Sequence, residues 1–93
     1  MKKKEIISVI KEVVNDYFEV QGIDPTATEE TPLFGSDSEL DSLGLINVIV
    51  DIESYFRGNN IVITLTSAKA MSRRDSPFKT IDTLAEFIEG LII

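Results

Sequence analysis

Apolar residues recur at helical spacing in three segments of the chain, and each segment predicts an amphipathic helix. The first covers residues 3–20 and is followed by a glycine and a proline, which end helices. The second covers residues 42–56 and starts at Asp41 or Ser42. Its many β-branched residues would suit a strand, but its polar positions follow the helical period and do not alternate. The third covers residues 80–91, and a threonine at its start is a suitable N-cap.

The segments between these helices are less regular. Residues 21–41 have no sustained period, and a loop of about 20 residues is uncommon in a compact domain and often functional. Leu33 and Phe34 are predicted to anchor this loop, and one or two helical turns are predicted over residues 66–72. The predicted core consists of Ile6, Ile10, Val13, Tyr17, Phe34, Leu45, Ile49, Ile52, Phe56, Ile63, Leu84 and Ile88.

The length and charge of the chain narrow the range of functions. Ninety-three residues predict one domain over residues 1–93. Sixteen acids against nine bases give a formal net charge of −7, and eleven of those acids lie between Glu12 and Phe56, where there is no lysine or arginine. Such a chain repels phosphate backbones, so no nucleic-acid partner is expected. An acidic field of this kind either attracts cationic partners or serves as a solubilising surface.

The absence of two residue types argues against a self-sufficient enzyme. The sequence contains no cysteine and no histidine, which excludes thiolate and imidazole catalysis and the usual transition-metal ligands. No metal site is therefore expected. No apolar run approaches the ~20 residues of a membrane span, so no membrane insertion is expected and the predicted location is the cytoplasm.

The most informative motif is Leu40-Asp41-Ser42-Leu43, where the acidic loop meets the second predicted helix. Ser42 is predicted to lie in the first turn, close to backbone N–H groups that have no partner within the helix. A structural explanation is sufficient for an arbitrary Asp-Ser pair in this position, because either residue can cap the helix.

With this order of elements, the whole chain resembles the acyl carrier proteins. Leu40-Asp41-Ser42-Leu43 matches the attachment motif of that family, and Leu33-Phe34 matches its apolar loop anchor. The resemblance implies an all-α fold, a right-handed four-helix bundle of acyl-carrier-protein type with a long loop between helices 1 and 2 and a short third helix. It also implies that a phosphopantetheinyl transferase attaches 4′-phosphopantetheine to Ser42, flanked by Asp41 and Leu43. The protein would then carry acyl groups for other enzymes and would not be an enzyme itself.

The resemblance further implies partners and a cargo site. The expected partners are the transferase and acyl-transferring or acyl-elongating enzymes, and the expected oligomeric state is a monomer. Gly44 and Asn47 stand near positions that are often acidic in fatty-acid carriers, which favours a carrier of a specialised pathway. The acids that remain are Asp37, Glu39, Asp41, Asp51 and Glu53. Recognition is expected to depend on them, chiefly on the loop acids before Ser42, and on the apolar tip at Leu43. The apolar candidates for an acyl cavity are Leu43, Ile46, Ile61, Ile63, Ala68 and Met71.

Two other functions remain compatible with the sequence. One is a carrier of aminoacyl or peptidyl groups, which would use the same serine. The other is a small helical adaptor without a prosthetic group, in which Ser42 only caps a helix.

Overall fold

The structure is a computed structural model, and it describes residues 2–33, 38–63, 65 and 78–92. Within these ranges it contains three helices: α1, Lys3–Val20; α2, Ser42–Gly58; and α3, Ile81–Ile92. The described residues form no strand and only one isolated bridge, between Pro32 and Thr80. The all-helical prediction is therefore confirmed, whereas the short helix predicted over residues 66–72 lies outside the described ranges.

The boundaries of the three helices follow local sequence signals. α1 begins and ends at the predicted residues, and α2 continues two residues past its predicted end before the turn at Asn59 and Asn60. Asn60 adopts a positive φ of 63°, which asparagine tolerates better than most residues. At the start of α3, Thr80 acts as the predicted N-cap, because its Oγ1 accepts from the Thr83 amide at 3.2 Å. Thr83 Oγ1 in return accepts from the Thr80 amide at 3.0 Å.

α1 is the centre of the described packing, because it contacts both α2 and α3. Its buried face is accordingly wide, and it is rotated from the predicted stripe. Val14 and Phe18 are buried, whereas the predicted core residues Val13 and Tyr17 are only half-buried and pack against the core from its edge. The predicted core is otherwise confirmed, except for Phe34, which lies outside the described residues. The buried residues outside that list of twelve are Ile7, Val9, Val14, Phe18, Leu33, Leu40, Val48, Leu65, Phe78, Ile81 and Ala85.

The loop after α1 is bonded to the start of α3. The amides of Ile81 and Asp82 donate to the carbonyl oxygens of Thr31 and Glu29, at 3.2 and 2.9 Å. These amides belong to the first turn of α3, where no helical partner exists, so the loop satisfies them. Leu33, the predicted loop anchor, is fully buried. The loop that leads to the 40–43 motif is thus fixed at its middle by α3 and by the core.

A charged pair joins the beginning of α1 to α3. Lys3 Nζ lies 3.0 Å from Asp82 Oδ1, and the Lys3 amide donates to Glu89 Oε2 at 2.8 Å. The hydrogen bond to Asp82 raises the pKa of Lys3 above its ordinary value of 10.5. A raised lysine pKa means that the pair stabilises the fold at lower pH and loses its effect only as the pH rises through the folded-state value. Because both side chains are substantially exposed, the contribution is small.

Candidate functional site at the start of α2

Asp41 caps α2. Its backbone is extended, with φ −82° and ψ −179°, and its Oδ1 accepts from the Gly44 amide at 2.6 Å. The Asp41 carbonyl accepts the first helical hydrogen bond, from the Leu45 amide at 2.9 Å. Of the two residues that the sequence offers as a cap, the structure selects Asp41. Ser42 is consequently the first residue of the helix.

The two leucines of the motif lie in opposite environments. Leu40 is buried in the core, and its amide donates to Ser38 Oγ at 3.0 Å, which fixes the approach to the helix. Leu43 is 68% exposed, and Asp41 is exposed. The motif therefore has one leucine that anchors it and one that is presented to solvent beside Ser42. An anchored but accessible turn suits a residue that another protein must reach.

The first turn of α2 lies against a tyrosine of α1. A Cβ placed on Gly44 would lie 2.5 Å from Tyr17 Oη, 2.8 Å from Tyr17 Cζ and 3.1 Å from Asp41 Oδ1. These distances are shorter than ordinary carbon contacts, so the phenol occupies the space that a side chain at position 44 would fill. In general, a glycine in a helix costs about 1 kcal/mol of stability relative to alanine. The structure adds the reason for the glycine, which is the close approach of Tyr17.

This contact leads to opposite expectations for two helical glycines. Gly44→Ala should lower the free energy of unfolding by about 1 kcal/mol or more, because Tyr17 and the Asp41 cap must both move. Gly90 in α3 has nothing within 4 Å of its added Cβ, so Gly90→Ala should raise stability by about 0.5–1 kcal/mol. Urea denaturation of both variants measures the difference. Equal stabilisation by the two substitutions would contradict the tight contact at Gly44.

The acids predicted for partner recognition differ in their surroundings. Glu39 and Asp51 are exposed, as is Asp41, whereas Asp37 lies outside the described residues. Glu53 is half-buried, and its Oε2 accepts from the Leu65 amide at 2.6 Å. Glu53 thus holds the segment after α2 against that helix. The sequence did not indicate this intramolecular bond, because the two residues are 12 positions apart.

A row of apolar residues on the exposed side of α2 was only partly anticipated. Leu43, Ile46 and Val50 follow one another at helical spacing, and they are 68%, 44% and 47% exposed. Asp51 directly follows Val50 in the sequence, and Asp41 lies two residues before Leu43. We refer to Leu43, Ile46 and Val50 as the α2 stripe. It begins at the residue after Ser42 and extends along two turns of the helix.

The candidates for an acyl cavity lie in different environments. Leu43 and Ile46 belong to the exposed α2 stripe, Ile61 is half-buried and Ile63 is buried. Ala68 and Met71 lie outside the described residues. The structure contains a cavity of about 480 Å³ in another place, between the end of α1 and the loop. Phe18, Ile23, Pro32 and Glu39 contribute to its wall, and none of the predicted acyl-cavity residues does. Sequestration of an acyl chain stays a prediction.

Two kinds of feature are absent from the described ranges. No group of three or more acidic residues in them is arranged to hold a metal ion. Among the helices at residues 3–20, 42–58 and 81–92, none is both long and apolar enough to cross a membrane.

Comparison with known proteins gave no match to a family model, to a curated protein or to a solved structure. Function must therefore be inferred from the residues and the geometry of this chain.

Proposed function

We propose that the protein is an acyl carrier that holds its cargo on a 4′-phosphopantetheine group attached to Ser42. The observation that supports this most directly is the division of roles in the motif. Asp41 caps α2, Leu40 anchors the turn, and Ser42 is left at the first helical position between exposed residues. A serine that served only as the cap would stand one position earlier.

The start of α2 fits a phosphodiester on Ser42. The first amides of a helix have no helical partners, and the helix dipole favours a negative charge there. Asp41 accepts a hydrogen bond from the Gly44 amide, and this bond keeps the first turn formed while Ser42 is modified. When attached, the group supplies a thiol that carries acyl groups as thioesters, a function that this cysteine-free chain lacks. Acid–base chemistry would come from partner enzymes, so the protein is proposed to be a carrier and not an enzyme.

Loading requires a transferase and a donor. Ser42 Oγ forms a bond to the phosphorus of the phosphopantetheine moiety of coenzyme A. The bond to the second phosphate breaks, 3′,5′-adenosine bisphosphate leaves, and the serine proton passes to a base of the transferase. We further propose that residues 66–72 supply the short third helix of a four-helix bundle, and that the carrier is a cytoplasmic monomer.

The α2 stripe is proposed as the surface on which partner enzymes dock. It adjoins Ser42, and exposed acids flank it at Asp41 and Asp51. A complementary enzyme surface would combine an apolar groove with lysine or arginine at its rim. Charge would then speed up association, and the apolar contact would hold the complex together.

Two matched valine substitutions test this surface. Val50→Ser should lower kcat/KM for loading of Ser42 by about fivefold, which corresponds to about 1 kcal/mol of lost apolar contact. Val62 is 81% exposed but lies beyond the end of α2, so Val62→Ser should leave kcat/KM unchanged. Melting temperatures of both variants serve as the control for folding. Equal kinetics of the two variants would exclude the α2 stripe as the docking surface.

The proposed function itself is tested by intact mass. The chain is co-expressed with a broad-specificity phosphopantetheinyl transferase, and the expected product carries one phosphopantetheine. An unchanged mass would favour the adaptor without a prosthetic group, in which the 40–43 motif is explained by the Asp41 cap alone.

A further inference from the structure

Tyr17 places a hydroxyl group from α1 beside the first turn of α2. Its ring packs at the edge of the core, and its Oη lies where the side chain of residue 44 would begin. Among the described residues, Tyr17 Oη has no hydrogen-bond partner. It is not enclosed either, because these residues contain no buried side-chain oxygen without a partner. At least part of the hydroxyl oxygen is therefore accessible from outside, beside the first turn of α2.

We propose that Tyr17 is a contact residue for the enzyme that loads Ser42, an inference that rests on the function proposed above. One helical turn is about 5.4 Å long, and a specific interface covers about 800 Å² on each partner. Ser42 and Gly44 are only about 3 Å apart along the helix axis, so an interface of that size centred on Ser42 extends around the end of α2 and reaches the hydroxyl beside Gly44.

The chemistry of the hydroxyl defines the opposing group. A hydroxyl that loses its water on docking costs free energy unless the partner provides a hydrogen bond. The enzyme therefore presents a hydrogen-bonding group opposite Tyr17, together with cationic groups opposite the exposed Glu39 and Asp41. Tyr17 occupies the space that a side chain at position 44 would fill, so the enzyme contacts a neutral phenol group there.

Removal of the hydroxyl alone provides the test. The full-length chain is loaded with coenzyme A by a broad-specificity phosphopantetheinyl transferase, and initial rates are followed by intact mass. Tyr17→Phe keeps the ring against Gly44, so the melting temperature should not change. KM should rise about three- to tenfold, the effect of one lost hydrogen bond, and kcat should stay within about twofold of wild type.

The chain contains a matched control for this substitution. Tyr55 is 43% exposed and lies about 20 Å from Ser42 along the axis of α2, so Tyr55→Phe should leave KM unchanged. Tyr17→Leu removes both the hydroxyl and the ring, and its KM should rise at least as far as that of Tyr17→Phe.

The outcomes separate this inference from the proposed function. Wild-type kinetics for Tyr17→Phe on a chain that is loaded would overturn the contact and leave the carrier function in place. A rise in KM for Tyr17→Leu alone would also overturn it, because only the packing on Gly44 would then matter. A wild-type chain that accepts no phosphopantetheine would overturn both.

Discussion

Ser42→Ala is expected to abolish loading with 4′-phosphopantetheine and to leave the fold intact. Loading requires the serine oxygen, so the loss should be complete. The stability of α2 should change by no more than about 0.5 kcal/mol, because Asp41 supplies the cap. Intact mass after incubation with transferase and coenzyme A measures the first effect, and thermal unfolding measures the second.

Two further substitutions in and next to α2 serve as controls for Ser42→Ala. Ser54 is exposed on the same helix, and Ser54→Ala should be loaded like wild type. Asp41→Ala removes the cap and should lower the free energy of unfolding by about 1 kcal/mol. Loading of Ser42→Ala to the wild-type extent would refute Ser42 as the attachment residue.

Phe56→Ala is expected to cause the largest loss of stability, about 3–5 kcal/mol. Phe56 is fully buried near the end of α2, and its removal leaves a cavity that the surrounding helices cannot fill. A domain of this size has a total stability of the order of 5–15 kcal/mol, so a large part of it would be lost. In urea denaturation, the midpoint of unfolding should lie at a lower urea concentration than in the wild type.

The adjacent ring is the control for Phe56. Tyr55 meets Phe56 edge to face, with the ring centroids 5.6 Å apart, but it is 43% exposed. Tyr55→Ala should therefore lower stability by no more than about 1.5 kcal/mol, the upper value for such a ring contact. Similar losses for the two variants would mean that the end of α2 is not packed as the structure describes.

Local signals in the sequence predicted the helices well, whereas the direction of their faces depended on tertiary contacts. The apolar period and the residues at the ends were sufficient for the boundaries of α1 and for the start of α2. Periodicity alone could not show whether Val13 and Tyr17 or Val14 and Phe18 are the buried pair, because both pairs have helical spacing and large apolar side chains. Tertiary packing determines which pair is buried, because α1 packs against α2 and α3 at once.

The candidate site was located by its motif, but the contacts around it come from distant parts of the chain. The sequence placed Asp41 and Ser42 at a helix start, and the structure identified Asp41 as the cap. A glycine in the first turn of a helix was the available signal for a close neighbour. Nothing in the sequence identified that neighbour as Tyr17, which lies on another helix.

The contacts between Lys3 and α3 have a consequence for synthesis of the protein on the ribosome. The Lys3 amide and Glu89 Oε2 are joined across 86 positions, nearly the full length of the chain. α1 leaves the ribosome before both of its packing partners, and α3 is made after α2. The nascent chain therefore completes the start of α2 before it can cover α1 on both sides. Packing of α1 on both sides then awaits the emergence of α3 from the exit tunnel.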